Sequence, residues 1–308
     1  MKRKPHPRQH AAEFAERPAI IMAESGAILT YGEMEAKANQ LAHLLRDLGL
    51  EAGATIAILL KNCPDYFSIY WAAQRIGLYI APISTAFTAQ EAAYILADSG
   101  ARILFISERV PHARALVEDG LPDSVEHVFS IDGALPGSRN WNEAMASLPS
   151  TPLINETAGF HMVYSSGTTG KPKGIRQPLS GGPATAPHPL ADRARDNYGI
   201  GPDSVYLSPS PLYHTAPLAF STSCHRLGAT VIVMERFTPE GALAVIQRHG
   251  VTITQMVPTM FVRILRMPAA ERLGYDIGSL KTVIHAAAPC PVDIKRQMID
   301  WLGPILLE

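Results

Sequence analysis

The 308-residue sequence contains few cysteines and no long apolar run. Its three cysteines, Cys63, Cys224 and Cys290, lie far apart and form no CxxC pair, which argues against a disulfide framework and against a cysteine zinc site. No apolar stretch approaches the ~20 residues that are needed to cross a bilayer. The start of the chain also lacks the basic-then-apolar pattern of a secretory signal. These absences together predict a cytoplasmic protein without a transmembrane segment.

The chain has almost no net charge, with 27 Lys+Arg against 28 Asp+Glu. This balance argues against a nucleic-acid-binding protein that depends on overall basicity. The longest basic cluster lies within residues 1–8, and we interpret residues 1–17 as a solvated basic arm rather than a targeting signal. The eleven histidines form no H-E-x-x-H motif, so no protein metal site is predicted. No G-x-S-x-G motif is present, which disfavours a serine hydrolase.

Strand-like and helix-like segments alternate along almost the whole chain, and glycines end many of the helical segments. The alternation predicts an α/β fold with parallel sheets that helices cover on both faces. The number of strands favours two packed sheets over one. The predicted strands are 19–22, 27–30, 54–60, 79–83, 102–107, 127–131, 160–165, 205–208, 230–234, 252–256 and 282–286. The main predicted helices are 31–48, 62–77, 88–100, 239–249, 258–266 and 291–302.

Residues 164–174 read YSSGTTGKPKG and directly follow an apolar strand. Glycines allow backbone N–H groups to approach an anion, hydroxyls donate hydrogen bonds, and lysines supply positive charge. This composition favours a polyphosphate site over a flexible linker. The candidate contacts are Ser165, Ser166, Gly167, Thr168, Thr169, Gly170, Lys171, Lys173 and Gly174.

The common phosphate-binding motifs are not met by this segment. A P-loop would need glycine at Ser165 and serine or threonine at Pro172. The dinucleotide pattern G-x-G-x-x-G is also missing, because the nearest fragment begins at Gly199 and has Ser204 in its last position. The chain is therefore neither a P-loop kinase nor a Rossmann dehydrogenase.

The segment YSSGTTGKPKG resembles the signature loop of the acyl-adenylate-forming, or AMP-binding, enzymes. That family includes acyl-CoA synthetases, adenylation domains of peptide synthetases and beetle luciferase. Residues 30–33, 211–218 and 285–289 resemble three further family segments in order and spacing, and the likeness extends from about residue 18 to residue 308. Acyl-CoA synthetases, or fatty-acid–CoA ligases, are the most similar branch.

The resemblance implies the large N-terminal domain of these enzymes, with two packed parallel-type sheets in αβαβα layers and without the small C-terminal domain. We expect sublobes at approximately 65–190 and at 18–64 plus 200–308. The family pattern continues beyond Glu308 with a tyrosine–glycine–threonine–glutamate segment and later a catalytic lysine. We therefore expect a truncated domain, either a fragment or a degenerate form, that is inactive alone.

The resemblance also assigns roles to single residues. The loop from Ser165 to Gly174 would hold the β- and γ-phosphates of MgATP, with Lys173 as a catalytic contact. His214 would lie beside the acyl pocket and the reacting carboxylate. The adenine wall would be formed by Ala286, Ala287 and Ala288, where the family often has glycines. Two roles are open for Val257, Pro258, Phe261 and Val262. They could line the acyl pocket, but their helical spacing favours packing in the core.

The implied activity is that of an acid–CoA ligase. ATP activates a carboxylic acid as its adenylate, and the thiol of coenzyme A then takes the acyl group. The segment 213–220 is apolar around His214, which favours a fatty or other apolar acid. Two alternatives remain open: a non-catalytic nucleotide- or acyl-binding remnant, and the adenylation domain of another adenylate-forming enzyme.

Overall fold

The computed structural model describes residues 6–165 and 172–308. In chain order the strands are β1 (Pro18–Met22), β2 (Ile28–Thr30), β3 (Thr55–Leu59), β4 (Tyr79–Pro82), β5 (Ala101–Ile106), β6 (His127–Ser130), β7 (Arg139–Asn140), β8 (Phe160–His161), β9 (Val163–Ser165), β10 (Lys173–Ile175), β11 (Val205–Ser208), β12 (Thr230–Val233), β13 (Ile253–Met256), β14 (Thr282–His285) and β15 (Leu306–Leu307). The helices are α1 (Pro7–Glu13), α2 (Tyr31–Asp47), α3 (Asp65–Arg75), α4 (Ala89–Ser99), α5 (Ala113–Asp119), α6 (Trp141–Met145), α7 (Pro189–Tyr198), α8 (Thr215–Leu227), α9 (Pro239–His249), α10 (Pro258–Leu265), α11 (Ala269–Arg272) and α12 (Val292–Leu302).

The chain divides into two compact units, each built on one large sheet. Among the described residues, the six-stranded unit comprises 33–186 and 212–214, and its sheet has the order β7-β6-β5-β3-β4-β8. Of the same described residues, the seven-stranded unit comprises 6–32, 187–211 and 215–308, and its sheet has the order β15-β14-β13-β11-β12-β1-β2. Within these two sheets, all neighbouring strands are parallel except β1 and β2, which form a hairpin. The expected parallel α/β sheets are confirmed.

Both faces of each sheet are buried. In the six-stranded unit, Ala57 and Leu59 of β3 belong to a core cluster with α4 and α5, while Ile56 and Ile58 are buried on the opposite face. In the seven-stranded unit, Leu207 packs in a cluster with α9, α10 and α12. Its neighbour Tyr206 points the other way and stacks on Phe220 of α8, with 6.2 Å between ring centroids. This double coverage explains why the strands have continuous apolar sequences.

Local sequence signals fix several helix ends as predicted. The Thr88 side chain accepts a hydrogen bond from the Glu91 backbone, and the Glu91 side chain accepts one from the Thr88 backbone, which completes a capping box on α4. Gly100 ends the same helix in the left-handed region, at φ 60°. The predicted helix 239–249 is observed with these bounds as α9 and ends at Gly250.

The structure corrects three predictions of local structure. Helices α1, α6, α7, α8 and α11 were not predicted. The predicted strand 160–165 is two strands, because β8 pairs with β4 whereas β9 pairs with β10 in a separate hairpin. The prediction of a solvated arm over residues 1–17 is wrong for residues 6–17. These residues include α1 and the buried His6, and His10 Nε2 lies 2.9 Å from the Arg226 carbonyl oxygen.

The division between the units also differs from the predicted sublobes. Strand β3 lies between β4 and β5, so residues 33–64 belong to the six-stranded unit and not with 200–308. The sheet assignment of β3 depends on which strands it pairs with, and its apolar sequence carries no information on that choice.

A buried ion network connects two helices of the six-stranded unit. The side chain of Arg75, at the end of α3, is 1% exposed. Its guanidinium donates two hydrogen bonds to the Glu35 carboxylate of α2 and one to Asn39 Oδ1 at 2.5 Å. A second carboxylate, that of Glu156, lies 3.7 Å away and is 8% exposed. Removal of the arginine would leave two poorly hydrated carboxylates without their common cation.

We predict that Arg75→Ala lowers the free energy of unfolding by about 3–5 kcal/mol, the usual loss when one partner of a buried charge network is removed. Denaturant titration measures this change. Arg102→Ala is the matched control, because Arg102 contacts Glu126 through two hydrogen bonds of 2.7 Å in an exposed pair. Equal losses for the two variants would show that the buried network does not stabilise the unit.

Candidate functional site

The candidate phosphate loop is carried by a hairpin of the six-stranded unit. Strands β9 and β10 pair antiparallel, with Ser165 opposite Lys173. The predicted contacts Ser166, Gly167, Thr168, Thr169, Gly170 and Lys171 lie outside the described residues. Lys173 begins β10 and is exposed, so its ammonium group is accessible to a ligand.

Residue 174 is a glycine at a position where neighbouring side chains pack closely against the backbone. A Cβ atom at this position would lie 2.9 Å from Tyr164 Cζ, across the ladder of the hairpin, and 3.1 Å from Met162 Cε. A side chain at 174 would therefore require the Tyr164 ring to shift. The predicted role of Gly174 in phosphate binding remains a prediction.

Helix α4 anchors the base of this hairpin. The Tyr164 hydroxyl donates a hydrogen bond of 2.8 Å to Asp98 Oδ2, and burial together with that carboxylate raises the pKa of Tyr164. The Tyr94 hydroxyl donates to the Pro172 carbonyl oxygen at 3.2 Å. Beyond β10, Arg176 donates to the Ser99 carbonyl oxygen at 2.5 Å. Contacts at both ends thus fix the strands that carry Lys173.

His214 is the last residue of the short segment 212–214, which belongs to the six-stranded unit. The Leu212 backbone N–H donates a hydrogen bond of 2.8 Å to Asn62 Oδ1, and Asn62 follows β3. The ring centroids of Tyr213 and His214 are 4.5 Å apart. His214 is exposed, and desolvation by the neighbouring atoms holds its pKa below the usual value. At neutral pH the imidazole is therefore uncharged and can exchange hydrogen bonds with a carboxylate.

The predicted adenine wall follows β14 directly. Ala286 is half-buried, whereas Ala287 and Ala288 are exposed. Ala287 has a φ of 71°, in the left-handed region that favours glycine. The position where the family often has a glycine is thus occupied by an alanine in a glycine-like conformation.

We predict that Ala287→Gly raises the free energy of unfolding by roughly 0.5–1 kcal/mol. The substitution removes the strain of an alanine in the left-handed region, and the larger conformational entropy of glycine in the unfolded chain offsets part of this stabilisation. Ala288→Gly is the control, since Ala288 has no positive φ and its replacement should destabilise the protein. Thermal or denaturant unfolding measures both changes. A stability change of the same sign in both variants would contradict the assignment of strain to Ala287.

A cavity of about 210 Å³ lies in the seven-stranded unit, between α7, α8 and the carboxyl end of β14. Its walls are mainly apolar. The Tyr198 and Phe220 rings contribute to the wall with their centroids 5.9 Å apart. The lining includes Leu190, Arg193, Tyr198, Phe220, Ser223 and Ala286.

The cavity combines predicted and unpredicted residues. Ala286 was predicted as part of the site, and Phe220 belongs to the apolar segment after His214, but α7 was not predicted at all. Pro189 at its first turn and Gly199 in the left-handed region are the signals that mark this helix. The alternative acyl-pocket residues Val257, Pro258, Phe261 and Val262 do not line this cavity, and Phe261 is buried in the core cluster of α9, α10 and α12.

His285, the last residue of β14, is a buried polar group beside the candidate site. Its ring meets Phe261 edge-on with 6.0 Å between centroids, and burial lowers its pKa. Neither ring nitrogen has a hydrogen bond among the residues that the structure describes, although Nε2 lies 3.8 Å from Glu308 Oε2. This histidine is therefore uncharged at neutral pH, and its ring contributes packing.

Residues 6–165 and 172–308 contain no group of three or more histidine, cysteine, aspartate or glutamate side chains that could hold a metal ion. Within the same ranges, no helix is both long and apolar enough to cross a membrane.

The sequence is similar to a known enzyme family over most of its length. The family profile described as AMP-binding enzyme matches residues 7–308. The chain is 29% identical over 317 residues to 4-coumarate–CoA ligase 1 of Oryza sativa subsp. japonica, and the match covers 96% of the chain but 53% of that protein. The chain thus spans about half the length of the curated relatives it matches.

Solved structures share the fold at low sequence identity. The N-terminal domain of FACL13 from Mycobacterium tuberculosis is similar with a TM-score of 0.79 at 23% identity, covering 100% of this chain and 74% of that one. The anthranilate CoA ligase AuaEII in complex with anthranoyl-AMP gives a TM-score of 0.80 at 19% identity, covering 98% and 58%. At these identities the likeness concerns the fold.

Proposed function

Because this chain belongs to the family of AMP-binding enzymes, we propose that it carries the ATP- and acid-binding part of an acid–CoA ligase. The observation that carries the proposal is the apolar cavity at the carboxyl end of β14, which Ala286 lines directly after the strand. In parallel α/β sheets, ligands bind outside the carboxyl ends of the strands. The position of the cavity therefore supports its assignment to the acyl group of the adenylate.

The size and lining of the cavity favour a compact apolar acid. A volume of about 210 Å³ lies below the range of about 300–1,000 Å³ that is typical of larger ligand sites. Tyr198 and Phe220 offer aromatic surfaces against which a flat ring can pack. We therefore propose an aromatic or short apolar carboxylic acid in preference to a long-chain fatty acid. The 4-coumarate–CoA ligase relatives agree with an aromatic acid.

The proposed reaction has two steps. A carboxylate oxygen of the acid attacks the α-phosphorus of ATP, which forms the acyl-adenylate and releases pyrophosphate. The thiol sulfur of coenzyme A then attacks the acyl carbon, loses its proton, and releases AMP as the thioester forms. The first step requires the charge on pyrophosphate to be neutralised while the acid is held in line. The magnesium ion arrives with ATP and shares this neutralisation.

We assign separate roles in this reaction to different described residues. Lys173, presented by the anchored hairpin, supplies positive charge to the terminal phosphates, and the segment 166–171 completes the proposed phosphate loop. His214 is uncharged and orients the reacting carboxylate through a hydrogen bond. Residues 286–288 pass beside adenine, with Ala286 also touching the acyl cavity.

We predict that Lys173→Ala, made in the whole protein, lowers acid-dependent ATP–pyrophosphate exchange by about ten- to a hundredfold. The variant loses one charge-assisted hydrogen bond to phosphate, worth on the order of 1.5–3 kcal/mol. Lys281→Ala is the matched control, because Lys281 is an exposed lysine just before β14. Unchanged exchange in Lys173→Ala would contradict the assignment, and ATP binding without exchange in the unmutated protein would favour a non-catalytic binding protein.

We predict that His214→Ala changes kcat or KM for the acid by about tenfold and leaves the KM for ATP nearly constant, because the imidazole contacts the carboxylate. Steady-state kinetics with each substrate varied in turn measure the two effects. His214→Gln retains a hydrogen-bonding side chain and should recover part of the loss. Equal effects on both substrates would instead indicate that the histidine stabilises the fold.

A further inference from the structure

The strand order of the six-stranded sheet contains a point at which the chain changes direction. From β3 the chain continues to β4 on one side, and it then crosses to β5 on the other side of β3 and on to β6. The carboxyl ends of β3 and β5 therefore flank a topological switch point. In open parallel sheets, the crevice at such a point is the usual place for a ligand.

In this protein, a segment of the chain itself is bound next to the switch point. Asn62 lies just after β3, and its Oδ1 accepts a hydrogen bond of 2.8 Å from the backbone N–H of Leu212, although the two residues are 150 positions apart. Leu212 is fully buried, whereas His214, which comes shortly after it, is exposed. The hydrogen bond thus fixes the backbone at the buried start of the segment that presents the His214 imidazole.

The turn that carries Asn62 is itself held in place. The Cys63 carbonyl oxygen accepts a hydrogen bond of 3.3 Å from the Tyr66 backbone at the start of α3. Tyr66 is fully buried, and burial, followed by the neighbouring Cys63 and Tyr213, raises its pKa. The start of α3 therefore lies near Tyr213 as well, and Asn62 belongs to a fixed turn.

Regular secondary structure does not position His214. Residues 212–214 belong to no helix or strand, because β11 ends at Ser208 and α8 begins at Thr215. The bond to Asn62 therefore supplies a constraint that a helix or a sheet would otherwise supply. Such a constraint matters for catalysis, because a displacement of about 1 Å can cost on the order of a hundredfold in rate.

We propose that Asn62 is a positioning residue, which holds the segment 212–214 so that the His214 imidazole meets the reacting carboxylate. The inference rests on the proposed function and adds to it a residue that contacts neither the acid nor ATP. Because Asn62 acts through His214, its effect should concern the acid and not ATP. The effect should also vanish when His214 is absent.

The test is a double-mutant cycle in the whole protein. ATP–pyrophosphate exchange is measured with benzoate, 4-coumarate and hexanoate, and the acid that gives the fastest exchange is used for all variants. We expect Asn62→Ala to lower kcat/KM for the acid by about tenfold and to leave the KM for ATP within about twofold. In the His214→Ala background, the same substitution should cause no further loss.

Two further variants separate positioning from a loss of stability. Asn62→Asp keeps an acceptor oxygen at the same distance along the side chain, and it should recover most of the loss. Asn140→Ala is the matched control, because Asn140 Oδ1 also accepts a backbone hydrogen bond, from Glu143 at 3.2 Å in the same unit. The control should leave the kinetics for the acid unchanged.

An NMR measurement reports on the histidine without any activity. In protein labelled with ¹³C-histidine, the ring signal of His214 is the one that disappears in His214→Ala. We expect Asn62→Ala to shift or broaden this signal, because the segment that carries the ring loses its contact. Asn140→Ala should leave the signal in place.

The outcomes separate this inference from the proposed function. A His214 signal that stays in place in Asn62→Ala, or a loss of activity that persists in the His214→Ala background, would overturn the positioning role and leave the acid ligase intact. If none of the three acids supports exchange, the proposed function fails, and the contact has no catalytic purpose. If His214→Ala leaves the kinetics for the acid unchanged, the role of His214 fails, and the role of Asn62 fails with it.

Discussion

Burial of both sheet faces is the constraint from which the rest of this structure follows. Strands such as β3 and β12 are covered by helices on each side, so their side chains are almost all apolar and none is available for chemistry. The polar side chains within the strands, such as Thr254 and Gln255 of β13, are buried as well, which leaves the ends of the strands and the β9–β10 hairpin as places where polar groups can face a ligand. The candidate site residues occupy these places: Lys173 on the hairpin and Ala286 directly after β14.

The same constraint explains what the sequence could predict. Short apolar strands bounded by glycine and proline are visible without a structure, and β11 was predicted with the observed bounds. The signature segment 164–174 identified the family, which the match over residues 7–308 confirms. Both successes depend on local patterns, since a buried strand and a glycine-rich loop each require particular residues at consecutive positions.

The failures concern features that no local pattern encodes. Helix α8 contains Pro217 and a run of serine and threonine at 221–223, a composition that is unusual for a helix interior, yet tertiary packing buries it. Strand β3 is assigned to its sheet by pairing with β4 and β5, which only the folded chain determines. The cavity was missed for the same reason, because its walls combine residues that lie about 90 positions apart, such as Arg193 and Ala286. Arg75 shows the same limit, because its Glu35 partner lies 40 positions earlier in the chain.

The central claim is that the cavity beside Ala286 holds the acyl group of an adenylate. Titration of the chain with stable acyl-sulfamoyl adenosines, which mimic the adenylate, tests it most directly. We expect the benzoyl analogue to bind at least about a hundredfold more tightly than ATP, as analogues of reactive intermediates do. It also predicts that enlarging Ser223 to tryptophan, which fills the cavity, abolishes this gain while ATP binding persists. A palmitoyl analogue that binds more tightly than the benzoyl one, or benzoyl binding that the filled cavity leaves unchanged, would contradict the account.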